Sequence, residues 1–179
     1  MVYQASDHLP TLLLYYPGRA AALLGFVLMF YQFVLGVRLP FMERLFKRYV
    51  TIKRHRTLGK IGFILVLLHG VFMLVYETAM AGTLFLDLAR VIGLTALVLL
   101  SAAVIAAWFS KPLKLSRKTW LRIHYLGYLV FPLAFIHALM LSPTMAGSEA
   151  VAFLFYALFG AYVLIVAYRV SVLFTSSVK

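Results

Sequence analysis

The sequence predicts an all-α integral membrane protein: a bundle of about five transmembrane helices, N-terminus outside and C-terminus inside. Three observations carry that prediction. Of 179 residues, 64% are hydrophobic and 12% charged, whereas a soluble domain sits near half apolar and a quarter charged. Five apolar runs reach the ~20 residues that cross a hydrocarbon core as a helix. The basic residues gather in alternate loops, as the positive-inside rule requires. The length suits one domain.

The elements follow in order. PTLLLYY at 10–16 is too short to span, and Pro17-Gly18 follows it. It is expected to lie at the interface or to extend the first helix through a kink. Residues 1–16 thus form a short N-terminal segment ahead of a membrane domain over 17–175. The opening MVYQASDHLP lacks the basic n-region and small-residue cleavage site of a secretory signal, so nothing is read as removed. The spans are expected at roughly 19–37, 56–76, 88–109, 121–141 and 150–173.

Charge sets their direction. Arg38, Arg44, Lys47, Arg48, Lys53, Arg54, Arg56 and Lys60 lie between the first two spans. Lys111, Lys114, Arg117, Lys118 and Arg122 lie between the third and fourth, and Arg169 and Lys179 close the chain. This side is expected to be cytoplasmic, while Asp7, Glu77, Asp87 and Glu149 fall on the other. The expected location is the plasma membrane, the inner membrane of a bacterium. Topology alone accounts for the basic loops, although they also suit docking of an acidic or flavin-bearing partner. The net charge of +12 is therefore no sign of nucleic acid. Trp108, Trp120 and Tyr125 fit an interfacial aromatic belt.

Four histidines interrupt this apolar pattern. RHRTLGKIGFILVLLHG carries His55 and His69; IHYLGYLVFPLAFIH carries His124 and His137. Intramembrane imidazole is costly unless something satisfies it. The second and fourth spans run in the same direction, so His55 and His124 share one level and His69 and His137 another. At 1.5 Å per residue the levels stand about 20 Å apart. Each level offers one imidazole from each helix, without a neighbouring cysteine or carboxylate. Zinc favours three or four protein ligands, whereas two facing imidazoles suit the axial positions of a haem iron. The absence of cysteine excludes disulfides, thiolate zinc sites and cysteine-ligated iron–sulfur clusters. The expectation is two stacked b-type haems, with His55, His124, His69 and His137 as iron ligands. Hydrogen bonding between helices is the plainer role for any one of them. His8 has no partner at its level and stays unassigned.

The phase agrees better on one helix than on the other. Fourteen residues return His69 to within about 40° of His55, but thirteen leave His137 about 140° from His124. Pro132 lies between the latter two; a bend or a tightened turn is needed there. Gly59, Gly62, Gly70 and Gly127 suit a flat porphyrin face, and ordinary helix packing explains them equally well. Phe131, midway between His124 and His137, is placed to fill the gap between macrocycles or to serve as an ordinary core aromatic. Arg19 and Arg90 break the positive-inside pattern near the outer level, where haem propionates or an anionic acceptor would meet them. Snorkelling explains either arginine as well.

RHRTLG…LLHG followed by WLRIH, twelve residues and a second histidine resembles the ferric reductase-like transmembrane domain. That group includes NADPH oxidases, ferric-chelate reductases and the haem-binding membrane subunit of periplasmic methionine sulfoxide reductase systems. The resemblance covers roughly 17–175. It implies that His55 and His124 hold the cytoplasmic-side haem and His69 and His137 the outer one. It also implies that Arg19, in YPGRAAALLGF, stands beside the outer haem, and that Phe131 is the aromatic between haems. Met73 departs from the polar outer residue of NADPH oxidases, which weakens oxygen as the acceptor. His55 departs from the sulfoxide reductase subunits, which lack a histidine there. The chain contains no G-x-G-x-x-G turn and no soluble domain, so FAD or FMN is expected only on a partner or a missing domain.

The expected function is transmembrane electron transfer. A cytoplasmic flavoprotein or quinol donates, and an extracytoplasmic ferric chelate, oxygen or periplasmic reductase accepts. The alternative within the family is the sulfoxide reductase membrane subunit. The alternative outside it is a haem-free proton relay or transporter, against which stands the absence of any mid-membrane acid.

Overall fold

The computed structural model describes residues 8–37, 39–141 and 143–177, which are helical almost throughout, with no strand among them. Residues 1–7 with Asp7, Arg38, Lys179 and the side chain of His8 lie outside the described residues. Five helical stretches are long and apolar enough to cross a membrane: Thr11–Val37, Arg48–Ala81, Leu88–Phe109, Arg117–Leu141 and Glu149–Val172. With that composition the chain is an integral membrane protein whose outward faces meet lipid.

The first span comprises α1, Tyr16–Val37, continued from a π-helical turn at Thr11–Tyr15. PTLLLYY therefore extends the helix rather than lying apart. Pro17 has no N–H and its ring would crowd the carbonyl four residues back in a straight α-helix. The wider π turn, in which the Tyr16 N–H donates to the Thr11 carbonyl, gives that ring room. A short α2, Pro40–Leu45, leads into α3, Arg48–Ala81, whose 34 residues overshoot the expected 56–76 at both ends. Its first nine residues carry Arg48, Lys53, Arg54 and Arg56, which a helix projecting beyond the hydrocarbon leaves in water. Gly82 at φ +69° ends it, a left-handed position that favours glycine.

Asp87 caps α4, Leu88–Phe109, by accepting the Arg90 N–H. Ser116 caps α5, Arg117–His124, in the same way through Thr119. A break at Tyr125–Leu126 separates α5 from α6, Gly127–Leu141, so the fourth span is two helices rather than one. The short α7, Pro143–Gly147, and the long α8, Glu149–Ser177, complete the bundle.

α1 lies antiparallel along α3, with small residues at the seam. An added Cβ on Gly25 would stand 2.9 Å from Val66 Cγ2, and one on Gly62 would stand 3.3 Å from Leu28 Cβ. Gly59 meets Gln32 and Gly70 meets Leu97, while Gly127 faces nothing within 4 Å. Gly59 and Gly62 therefore admit a neighbouring helix, which favours the packing account given to them above. α4 packs on α6, and α8 closes over α1 and α6 through stacked rings. Phe26 lies 4.5 Å from Phe131 and 4.3 Å from Phe155, and Phe131 is fully buried. The histidine-bearing helices α3 and α6 are not a closely packed pair, so a gap runs between them.

Candidate functional site between the histidine helices

The gap is bounded by four imidazoles. His55 faces His124 with ring centroids 6.1 Å apart, and His69 faces His137 at 6.3 Å. Both pairs are inclined at 69°. Because 55 meets 124 and 69 meets 137, α3 and the α5–α6 segment run in the same direction. α3 is unbroken between its two histidines, so the levels are about 21 Å apart along it.

The break in the fourth span answers the phase problem. Leu126 N–H donates to Ile123, Tyr128 to Tyr125 and Leu129 to Leu126, all three-residue bonds. Such turns advance about 120° per residue instead of 100°. Each residue wound at that rate adds about 20° and so turns His137 toward the face of His124. The correction falls before Pro132, at Tyr125–Leu126, with α6 running through the proline.

At the end of the bundle away from the basic loops the histidines are held through Nδ1. His69 Nδ1 lies 3.0 Å from the Gly18 carbonyl of α1, and His137 Nδ1 lies 2.8 Å from the Ala89 carbonyl of α4. A carbonyl only accepts, so both Nδ1 atoms carry the proton and both Nε2 atoms present lone pairs. Gly93 makes this possible: an added Cβ would stand 2.6 Å from His137 Cε1 and Nδ1. At the basic end, His55 Nδ1 and His124 Nδ1 are buried without a well-formed hydrogen bond, as is Gln32 Oε1. There Trp120 stacks on His124, centroids 5.3 Å apart and planes within 10°. Trp120 is therefore more than part of an aromatic belt.

A cavity of about 780 Å³ occupies the half of the gap away from the basic loops. His69, His137, Gly70 and Gly93 line its sides, with Phe26, Met29, Val130 and Phe155 among its deeper residues. Phe131 stands behind that wall, in the aromatic cluster with Phe26, Phe30, Phe33 and Tyr162. Tyr15, Tyr76, Arg19 and Arg90 line the cavity's end farthest from the basic loops.

The two arginines differ. Arg90 is clamped by Glu77, Nε to Oε2 at 2.6 Å and Nη2 to Oε1 at 3.0 Å, and by Asp87 at 2.6 Å. Two carboxylates already satisfy that guanidinium, which ties α3 to the start of α4. Arg19 donates to the Tyr15 hydroxyl at 2.6 Å and lies over the same ring. It meets no carboxylate among the described residues. The sequence pointed to both arginines without separating them, because the acids that neutralise Arg90 come from two different elements.

Gly93, the Gly18 and Ala89 carbonyls and the Trp120 stack escaped the sequence reading. Trp120 had a signal, four residues before His124 on one helix face. The others had none, since each depends on which helix lies opposite.

The fold and the paired histidines define a five-span helical membrane protein built around a slot between two parallel helices. Residues 21–135, more than half of the chain, match the family described as the ferric reductase like transmembrane component, and the chain belongs to that family. The match takes in His55, His69 and His124 and stops two residues short of His137. No curated protein and no solved structure matches the chain. Membership in this family points to electron transfer across the membrane.

Proposed function

We propose that the protein is a di-haem b electron conduit in which His55 and His124 would hold one haem near the cytoplasmic face and His69 and His137 a second near the outer face. The observation that carries this reading is the separation of the imidazoles. A metal–imidazole bond of about 2.0 Å plus roughly 1.1 Å from nitrogen to ring centre, taken twice, requires about 6.2 Å between centroids. The observed separations are 6.1 and 6.3 Å. The same gap between rings is too wide for a direct hydrogen bond at either level, and the His69/His137 pair lines a mostly apolar cavity. No group of three or more metal-ligating side chains occurs among the described residues, which argues against a protein-held zinc ion.

A bound haem supplies reversible one-electron chemistry at iron. The chain's own residues do the rest. The Gly18 and Ala89 carbonyls fix the tautomer and rotation of His69 and His137, directing Nε2 into the slot. Phe26, Met29, Val130 and Phe155 exclude water from the region between the levels. Arg19, which meets no carboxylate among the described residues, would meet a propionate or an anionic acceptor, and Arg90 holds α3 and α4 together. Electrons enter from a flavin or quinol donor at the basic face and leave to an acceptor outside.

A haem-to-protein ratio on the purified full chain, with a dithionite-reduced visible spectrum, tests the reading. Two b-type haems per chain are expected. One haem shifts the reading to a sulfoxide-reductase-like membrane subunit. None after expression with added haem overturns it.

A further inference from the structure

We propose that Tyr162 on α8 is a positioning residue for His124 and His137, acting through the backbone carbonyl that Pro132 leaves without an amide partner. In an unbroken α-helix the N–H of residue 132 donates to the carbonyl of residue 128. Proline has no such hydrogen. The structure supplies a substitute donor from another helix: the Tyr162 hydroxyl donates to the Tyr128 carbonyl at 2.6 Å. Tyr162 is itself 7% exposed, with Phe33 edge-on at 4.8 Å and Phe131 at 4.9 Å. Its hydroxyl therefore has little freedom to leave that carbonyl.

Tyr128 is also the residue whose N–H closes the tightened turn onto Tyr125. One residue thus receives the hydrogen bond from α8 through its carbonyl and, through its N–H, helps to form the turn that sets the phase between the two histidines of the fourth span. Lipid offers no alternative donor, so an unsatisfied carbonyl there is costly and the backbone moves to relieve it. The movement open to it is rewinding or bending at 125–129, which turns His124 relative to His137. Tyr162 lies on a helix outside the matched family region and touches none of the four imidazoles, so its effect on them is indirect.

The consequence for haem rests on the proposed function; the geometric claim does not. The chain has no cysteine, so paired spin labels at Arg122→Cys on α5 and Leu139→Cys on α6 report the angle across the turn. Pulsed electron paramagnetic resonance on full-length labelled protein, haem-free and haem-loaded, reads the distance. Tyr162→Phe is expected to shift or broaden the distribution. In the loaded protein it is expected to shift the low-spin g-values of at least one haem. Phe30→Leu trims the same aromatic cluster at a ring that meets Phe131 rather than Tyr162 or Tyr128, and is expected to leave both readouts at the parent values. Unchanged distances and g-values in Tyr162→Phe overturn the proposal.

Pro132→Ala returns an N–H to the site. On that background Tyr162→Phe is expected to have a much smaller effect, and equal effects on both backgrounds overturn the proposal. If Tyr162→Phe alone fails to fold, recovery by Pro132→Ala supports the assignment and failure to recover overturns it. A shifted distance in a protein that never binds haem keeps the positioning role and removes the haem reading. Two haems with an unmoved distance do the reverse.

Discussion

His69 and Gly93 carry the level away from the basic loops at the scale of single residues, the outer level of the proposed orientation. His69 presents Nε2 to the slot because Gly18 holds its Nδ1, and leucine at that position offers neither nitrogen. His69→Leu is expected to lower the haem content from two per chain to one, with the remaining haem still reducible by dithionite. Two haems in that variant would show the pairing to be wrong. Gly93→Ala tests the opposite helix without removing a ligand. Its Cβ would stand 2.6 Å from the His137 ring, an overpacking worth about 1–3 kcal/mol. The expected result is weaker retention of the outer haem during purification and an unchanged inner one, read from the same spectrum. The remaining residue-level contrast is Trp120. Its ring contact gives His124 the orientation that hydrogen bonds give the outer histidines.

Elements decide what those residues face. α3 is one unbroken helix, so its histidines share a face through the ordinary arithmetic of turns. The fourth span needs the turn at Tyr125–Leu126 to do the same. Gly18 and Gly25 of α1 against α3, and Gly93 of α4 against α6, let the helices approach closely enough for backbone carbonyls to reach His69 and His137. The Arg90–Glu77–Asp87 cluster then fastens the outer end of α3 to the start of α4. Glu77→Gln removes one charge from a pair about a quarter exposed, and is expected to cost about 1–2 kcal/mol. Thermal unfolding in detergent measures it, and a melting temperature equal to the parent's would make the cluster energetically neutral.

At the scale of the whole molecule the basic loops and the acidic cluster lie at opposite ends of the bundle. That polarity predicts which end faces the cytoplasm. In the cysteine-free chain, Leu84→Cys and Lys111→Cys place single thiols on exposed residues at the two ends. A membrane-impermeant maleimide applied to intact cells is expected to label Leu84→Cys and to spare Lys111→Cys until the membrane is opened. The reverse pattern would overturn the proposed direction of electron flow.

Span number, the level matching of the four histidines and the family were legible in the chain itself, because hydrophobic length, loop charge and spacing along a helix are local quantities. The continuation of the first helix through Pro17 was only one of two readings, since a π turn leaves no mark in composition. The phase of His137, the neutralisation of Arg90, the roles of Gly93 and Trp120 and the bond from Tyr162 were decided by the tertiary structure alone. Each depends on which residue of a distant helix stands opposite, and that is fixed by how the helices pack, which periodicity within one helix does not specify.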